Sequence, residues 1–278
     1  MIVPKRKLLL KGALLLLCMI LLYTGYELYI RASSADAVWP EYAGTDLRYD
    51  GNLVVDCSDL SHGYFLAWTA SPTSSRLKLR VMRGEMQFTY DLDNTGEYEV
   101  FPLQLGSGDY EISLYQNVGG SKYASGGKIW ISASLSDENA AFLVPNQYVD
   151  YTKESPSVAK ADELGEGASE EEIYQSVCDF MAGEFLYDFV RATTISPGAL
   201  PEVDECYNNK MGICQDLAAV MVSMLRTQGI PAKLMIGYIG TYYHAWTVSV
   251  VNGEERFFDP TAAINAVTGG EYTVERYY

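Results

Sequence analysis

The sequence predicts an α+β fold in two parts, an all-β part followed by a part that mixes helices and strands. Residues 51–135 hold about seven short segments in which apolar and polar residues alternate, separated by Gly, Ser and Asn. Residues 169–278 instead begin with two segments that carry apolar residues at helical spacing, and strand-like segments follow them. Strands grouped before helices favour an α+β fold with two separate domains along the chain.

The strand-like segments of the first part run from "LVVDC" at 53–57 to "KIWISASL" at 128–135. Turn-forming stretches such as "SPTSS" and "GSGD" lie between them. Short strands at this spacing predict a β-sandwich of the immunoglobulin-like type. His62 stands alone in a turn, where we expect it at the surface, and we identify no group of catalytic residues in this part.

The first 37 residues predict export. They contain five of the 20 basic residues of the chain and two of its 36 acidic residues, and an uncharged apolar run at 12–26 follows "MIVPKRK". This order is typical of a signal peptide. If the segment is not cleaved, it approaches the ~20 residues that span a bilayer and acts as a signal-anchor. We therefore expect a protein secreted or anchored to the outer face of the cytoplasmic membrane, with a linker at 38–50.

The rest of the chain is strongly acidic, because the whole protein has a net charge of −16 despite its basic N-terminus. Such a surface repels phosphate backbones, so we expect no nucleic-acid partner and no membrane contact beyond the N-terminal segment. The cysteines are irregularly spaced and form no CxxC pair, so we expect neither a metal nor a cofactor. They are Cys18, Cys57, Cys178, Cys206 and Cys214.

The second part begins after a polar connector predicted at 136–168. Ser169 and Glu172 form a capping-box pattern, which predicts a helix at about 170–186. Residues 196–212 have the composition of a loop. A second helix is predicted at 214–228, because apolar residues recur on one face and "GIP" then ends the pattern.

Cys214 stands at the start of this second helix. Unpaired backbone N–H groups and the positive end of the helix dipole lie there, and both stabilise a thiolate. Cysteines are also common as inert core residues. The position of Cys214 alone therefore leaves the roles of nucleophile and core residue open.

His244 and Asp259 lie on either side of a predicted hairpin. The turn "NG" at 252–253 favours a two-residue loop that pairs residue 251 with 254. That register places Asp259 diagonally across from His244 on the same sheet face. Asp259 then accepts a hydrogen bond from one imidazole nitrogen, and the other nitrogen takes the proton of Cys214.

Three sequence blocks, "GICQDLAAVMVSMLRTQGIPAKL", "HAW" and "FFDPT", occur in this order. Over about residues 170–265 the chain resembles the transglutaminase-like superfamily, a branch of the papain-like fold. The resemblance implies Cys214 as the nucleophile, His244 as the base and Asp259 as the acid that orients it. It also implies acyl transfer from an amide through a thioester.

Three neighbouring residues are assigned less directly. Trp246 shares the strand face of His244, where it shields the imidazole, lines the acyl site or simply packs in the core. Tyr243 lies before His244 and is a candidate for the rim of a substrate groove. Asp216 falls in the first helical turn, where an acid is favoured by the dipole, so we expect a structural role for it.

The sequence thus predicts an exported thiol-dependent acyl-transfer enzyme that acts on peptide or protein amides at the cell envelope. Peptidase-type hydrolysis is favoured over amine crosslinking. Two alternatives remain open. One is a non-catalytic cell-envelope binding module that keeps the fold, and the other is a metal site built from Cys206, Cys214, His244 and Asp259.

Overall fold

The computed structural model describes residues 16–21, 37–267 and 269–278. Residues 16–21 are helical and exposed, and the remainder of the signal peptide or signal-anchor predicted at 1–37 lies almost wholly outside the described residues. None of the helices within the described ranges is both long enough and apolar enough to span a membrane. Contacts divide the chain into two units, Met1–Asp36 and Ala37–Tyr278.

Two four-stranded antiparallel sheets form the first part of the second unit. One has the order β1-β2-β3-β6 and the other the order β5-β4-β7-β8. The strands are β1 (Leu47–Asp50), β2 (Leu53–Asp56), β3 (Tyr64–Thr69), β4 (Leu77–Arg83), β5 (Met86–Leu92), β6 (Glu99–Pro102), β7 (Gly108–Gly119) and β8 (Lys122–Ala133). All seven predicted strands are present, and their apolar faces share one buried core. An immunoglobulin-like arrangement of these strands stays a prediction.

Strand β1 lies inside the segment 38–50 that the sequence predicted to be a linker. It pairs with β2 in register Leu47↔Asp56, so the last four residues of that segment are part of the sheet. The turn between the two strands contains Gly51 at φ 56°, a left-handed conformation that glycine adopts readily. A side chain at this position would also collide with the backbone oxygen of Gly126, so the turn packs closely against β8.

Two helices lie in segments that the sequence predicted to be irregular. Helix α1 (Pro156–Gly165) occupies part of the predicted connector, and it buries Val158 and Ala161, three residues apart. A short helix at Val203–Asn209 occupies the predicted loop and buries Val203 and Cys206, again three residues apart. Each helix presents too few apolar residues for its period to be read from the sequence alone.

The predicted helices are confirmed with small changes at their ends. Helix α2 (Glu170–Glu184) begins with the expected capping box, in which the backbone N–H of Ser169 donates to Glu172 Oε2 at 2.9 Å. Short helix α3 (Phe189–Thr194) follows, and Val203–Asn209 is α4. Helix α5 (Cys214–Arg226) is buried along most of its length. Helix α6 (Pro260–Ile264) comes after the hairpin.

A third four-stranded antiparallel sheet packs against α5 and has the order β13-β12-β11-β14. Its strands are β11 (Ala232–Ile239), β12 (Tyr242–Val251), β13 (Glu254–Phe258) and β14 (Tyr272–Tyr277). The predicted hairpin register is confirmed, with Val251 opposite Glu254. A small parallel pair, β9 (Leu186–Tyr187) and β10 (Met211–Gly212), lies just before α5.

Arg226 ends α5 and is completely buried. Its Nε donates to the carbonyl oxygen of Ala232 at 2.9 Å, its Nη1 to that of Val144 and its Nη2 to that of Tyr278 at 2.9 Å. Burial lowers the pKa of the guanidinium to about 10, so it remains charged at neutral pH. One cation thus joins the helix, the sheet, the connector and the C-terminus.

The C-terminus joins the two parts of the unit. The ring of Tyr278 stacks on Tyr148 with centroids 3.5 Å apart and meets Tyr90 of β5 edge to face at 6.1 Å. Gln104, which follows β6, donates to the carbonyl oxygen of Tyr277 at 2.9 Å. The first two sheets and the α5 sheet therefore share one continuous buried cluster.

Replacing Arg226 with methionine should strongly destabilise the protein. The variant leaves three buried backbone oxygens without their donor, and each unpaired buried acceptor costs about 1–3 kcal/mol. Arg226→Lys keeps the charge but lacks the planar group that reaches three acceptors. Its stability should therefore lie between those of wild type and Arg226→Met. Chemical denaturation measures the free energy of unfolding of wild type and both variants.

The matched control is Arg76→Met. Arg76 pairs with Asp91 at the surface, with a side chain that is 65% exposed, and such pairs contribute at most about 1 kcal/mol. An Arg226→Met protein as stable as this control would contradict the role assigned to Arg226.

Candidate active site

The backbone that leads into Cys214 is tightly packed. The N–H of Asp188 donates to the carbonyl oxygen of Gly212 at 2.9 Å, which extends the β9–β10 pair up to the helix. A Cβ at Gly212 would lie 2.6 Å from the sulfur of Cys206 and 2.9 Å from Cβ of Asp216. Only glycine fits there, so this contact fixes the position from which α5 begins.

Asp216 secures the same helix start and is completely buried. Its Oδ2 accepts from the N–H of Ile213 at 3.0 Å, and its Oδ1 accepts from the N–H of Glu202 at 3.2 Å. Arg191 lies 3.5 Å from Oδ1. Burial raises the pKa of this carboxyl group despite these favourable neighbours. The contacts of Asp216 hold backbone segments together around Cys214.

His244 and Asp259 are in direct contact. Nε2 of the imidazole lies 2.8 Å from Oδ2 of the carboxylate, and the two side chains are only 13% and 3% exposed. Asp259 is also the N-cap of α6, where its Oδ1 accepts from the N–H of Ala262 at 3.0 Å. Because the carboxylate oxygens are held on both sides, the imidazole ring has a fixed orientation.

The contact arises in a different way from the predicted extension of the hairpin. The β12–β13 ladder ends at Thr247↔Phe258, so His244 has no strand partner on that side. Pro260 starts α6 directly after Asp259, and the chain turns there. His244 and Asp259 are therefore brought into contact by the N-cap of α6 rather than by continued strand pairing.

Tyr272 completes the surroundings of Asp259, and the sequence analysis missed it. Its hydroxyl donates to Asp259 Oδ2 at 2.7 Å, the same oxygen that His244 contacts. Its ring meets Trp246 edge to face at 5.0 Å. The alternation in "EYTVERY" is the signal that could have predicted β14, but its pairing with β11 could not be read from local sequence.

The structure brings Trp246 to His244 but not Tyr243. The Trp246 ring is 2% exposed and lies nearly parallel to the imidazole, with centroids 6.4 Å apart. Tyr243 is the strand neighbour of His244, so its side chain points to the opposite face of the sheet. There it is 52% exposed, and Arg276 donates to its hydroxyl at 2.9 Å.

Electrostatics favour a charged His244. Burial lowers the pKa of the imidazole, but the hydrogen bonds to Asp259 and Cys214 and the charges of both outweigh burial and raise it to about 9. Burial raises the pKa of Asp259, and the His244 contact together with two further donors lowers it to below its ordinary value. At neutral pH the pair is therefore an imidazolium and a carboxylate.

Cys214 faces the same ring. Since Nε2 of His244 is occupied by Asp259, Nδ1 is the nitrogen left for the thiol. Tyr187 of β9 is a further neighbour of Cys214. Burial and then the charge of Cys214 raise the pKa of the Tyr187 hydroxyl to about 12. The arrangement can pass a proton between sulfur and imidazole while Asp259 balances the charge.

The other cysteines of residues 37–278 lie in the interior. Cys57, Cys178 and Cys206 are buried, and burial raises their pKa values to about 11, 12 and 12. Cys214 is partly exposed, and Cys18 of the N-terminal unit is exposed. Among the described residues, no group of three or more His, Cys, Asp or Glu side chains is arranged to hold a metal.

Residues 158–257 match the family model of the transglutaminase-like superfamily. This segment is therefore a transglutaminase-like domain, as the sequence predicted. The matched segment begins within α1, eleven residues before the start at 169 that the sequence predicted.

Several solved structures resemble the chain. A candidate cysteine protease from Cytophaga hutchinsonii is 14% identical, with a TM-score of 0.38, over 77% of this chain and 91% of that one. A candidate protease from Parabacteroides distasonis is 13% identical, with a TM-score of 0.35, over 67% and 37%. The red sea bream transglutaminase is 13% identical, with a TM-score of 0.27, over 71% and 48%. No curated protein matches the sequence.

The stability of the protein should carry a signature of His244 between pH 6.5 and 9. The folded-state pKa of about 9 exceeds the ordinary value of 6.5, so protonated His244 stabilises the fold fully below pH 6.5. This stabilisation is lost as the pH rises through 9. The difference in unfolding free energy between wild type and His244→Gln should shrink by about 1–2 kcal/mol across this range, after allowance for solvent screening.

His62→Gln is the matched control, since His62 is the only other histidine and its side chain is 58% exposed. A His244→Gln difference that changes with pH no more than that of His62→Gln would contradict the charged state assigned to His244.

Iodoacetamide at pH 7 should modify Cys214 but not the three buried cysteines. The buried thiols are both shielded and neutral, while Cys214 is accessible and faces His244. His244→Gln should slow the reaction of Cys214 about tenfold. Mass spectrometry of tryptic peptides follows each cysteine. A Cys214 that reacts only in denaturant would contradict this assignment.

Proposed function

We propose that the protein is a thiol-dependent acyl-transfer enzyme that acts on peptide or protein amides. The observation that carries this proposal is the fixed His244 ring, bound to Asp259 at 2.8 Å on one side and facing Cys214 at the start of α5 on the other. A nucleophile, a base and a group that orients the base are the three parts that such catalysis needs.

The reaction starts from the ion pair in which the proton of the Cys214 thiol has already passed to Nδ1 of His244. The thiolate attacks the carbonyl carbon of the amide, and a carbon–sulfur bond forms as the carbonyl oxygen becomes negative. His244 then returns the proton to the amide nitrogen, the carbon–nitrogen bond breaks, and the amine leaves. The product of this half-reaction is a thioester on Cys214.

The negative oxygen needs a hydrogen-bond donor near the sulfur. The N–H of Ile213, just before the helix, already donates to Oδ2 of Asp216. The N–H of Cys214 is the first of α5 and by its position has no partner within the helix. It is the donor that we assign to the oxyanion.

Hydrolysis is favoured over amine crosslinking as the second half-reaction. Both Cys214 and His244 are partly exposed, so water can reach the thioester. His244 can then accept a proton from this water. Trp246 closes the site from the interior, which leaves the solvent side open. Water at high concentration then competes with any amine that is not held in place.

Export to the cell envelope, secreted or anchored outside the cytoplasmic membrane, is part of the same proposal. It is supported by the basic start and the apolar run of residues 1–37. The substrates would then be peptides or proteins of that compartment, and the acidic remainder of the chain argues against nucleic-acid partners.

Cys214→Ala should abolish turnover of peptide substrates. We would incubate the full-length protein with a peptide library, with and without a primary amine, and identify cleaved or conjugated products by mass spectrometry. Loss of the nucleophile should lower the rate about a thousandfold or more. Cleavage without conjugation is the expected product pattern.

Cys57→Ala is the control, because it removes a buried thiol from the first part of the unit and leaves the site intact. A library that yields no product with wild type, or equal products with Cys214→Ala, would contradict the enzymatic proposal and favour the binding module.

A further inference from the structure

The C-terminal strand contributes a side chain to the candidate active site. Tyr272 begins β14 and pairs with Ile239 at the end of β11, and its hydroxyl donates to Oδ2 of Asp259 at 2.7 Å. Tyr272 lies beyond residues 158–257, the segment that matches the family model, so that match assigns it no role. The role of Tyr272 must therefore be inferred from its contacts.

Two aromatic rings hold the ring of Tyr272 in place. Trp246 and Phe257 both meet it edge to face, with centroids 5.0 and 4.8 Å away. This is a favourable geometry for aromatic pairs, and Trp246 is itself only 2% exposed, so it forms a firm wall. The hydroxyl of Tyr272 is therefore held at Asp259 by the packing of its own ring.

Oδ2 of Asp259 receives two donors. Nε2 of His244 lies 2.8 Å from this oxygen and the Tyr272 hydroxyl lies 2.7 Å from it, whereas Oδ1 accepts from the N–H of Ala262. Burial raises the pKa of Asp259, and the contacts with His244, Ala262 and Tyr272 together lower it. Each donor stabilises the charged carboxylate. A carboxylate that Tyr272 already stabilises attracts the imidazolium proton less strongly.

Tyr272 remains a donor over the range in which His244 titrates. Burial, followed by the hydrogen bond to Asp259 and its charge, raises the pKa of the Tyr272 hydroxyl above its ordinary value of 10, whereas the pKa of His244 is about 9. The other titratable group that acts on the imidazole is Cys214 of α5. Strand β11 places Gly237 opposite His244 and thus adds no charge there.

The proposed reaction needs an imidazolium that can give its proton away. After the thiolate has attacked, His244 must protonate the amide nitrogen before the amine leaves. Such a transfer is most efficient when the pKa of the acid lies near the working pH, and that of His244 is already raised to about 9. A buried carboxylate that faced the imidazolium alone would hold the proton more tightly still. A second donor on Asp259 limits this effect.

We propose that Tyr272 is a positioning residue of the proposed reaction, and the inference rests on that function. Its hydroxyl keeps Oδ2 of Asp259 in place and takes up part of the carboxylate charge, so that His244 returns its proton more readily to the leaving nitrogen. Tyr272 acts through Asp259 and needs no contact with the substrate.

NMR titration of His244 in the full-length Tyr272→Phe protein, in detergent, tests the proposal without substrate. The variant keeps the ring and removes only the hydroxyl, so Asp259 should hold the imidazolium more tightly. The pKa of His244 should rise by about 0.5–1 unit above that of wild type. A Tyr272 that acts only through packing would leave this pKa unchanged, and a hydroxyl that only orders the carboxylate would let it fall toward 6.5. Either result would overturn the proposal.

Tyr110→Phe is the matched control. Tyr110 lies in β7, in the first part of the unit, and its hydroxyl donates to the carbonyl oxygen of Gly106 at 2.6 Å. Loss of this hydroxyl should leave the pKa of His244 as in wild type, and thermal unfolding checks that both variants fold. A control that shifts the pKa as much as Tyr272→Phe does would overturn the role assigned to the Tyr272 hydroxyl.

A second readout uses a peptide that the wild type cleaves and the p-nitrophenyl ester of the same acyl group. Tyr272→Phe should lower kcat/KM for the peptide about twofold to threefold, because the amine must be protonated to leave. The ester should react as with wild type, since its leaving group departs without a proton. Equal losses on both substrates would overturn the proposal.

The two readouts separate this inference from the proposed function. A wild type that cleaves no peptide would count against the proposed function. An unchanged His244 pKa in Tyr272→Phe would count against the role of Tyr272 alone.

Discussion

The guanidinium of Arg226 is the interaction on which the rest of the structure depends. It ends the helix that Cys214 begins, and it donates to carbonyl groups at the start of β11 and at the C-terminus beyond β14. The neighbouring strand β12 carries His244, so one buried cation holds the nucleophile's helix and the base's sheet together. Its third donor reaches Val144 in the segment that follows the first two sheets. The site is therefore built on a core shared by both parts of the unit.

Two buried aspartates surround this site and differ in charge behaviour. Asp216 receives only backbone donors and a more distant arginine, so burial prevails and its pKa is raised. Asp259 faces the imidazolium and the hydroxyl of Tyr272, and these contacts lower its pKa although it is also buried. The first carboxyl group fixes backbone geometry around Cys214, whereas the second keeps its negative charge next to His244. Catalysis by an imidazolium and thiolate pair requires the second behaviour.

The sequence predicts the parts of this site better than their assembly. Helix α5 and the hairpin register depend on local patterns, namely apolar periodicity and an Asn-Gly turn. The contact between His244 and Asp259 was also predicted, but the structure makes it through the cap of α6 and not through the strand pairing from which it was predicted. Tyr272 and the acceptors of Arg226 depend on which distant segments meet, and no local pattern records that. Helices α1 and α4 were missed because each buries only a few residues. Tyr243 was placed by closeness in sequence, but strand alternation directs it away from His244.

The protonation state of His244 tests the central claim most directly. The chain has two histidines, so NMR of histidine-labelled protein resolves both rings, and His62→Gln assigns them. His244 should titrate with a pKa of about 9, and Asp259→Asn should move this value toward the ordinary 6.5. A His244 pKa near 6.5 in the wild type, or a pKa that is the same in wild type and in Asp259→Asn, would contradict the charged state of the pair.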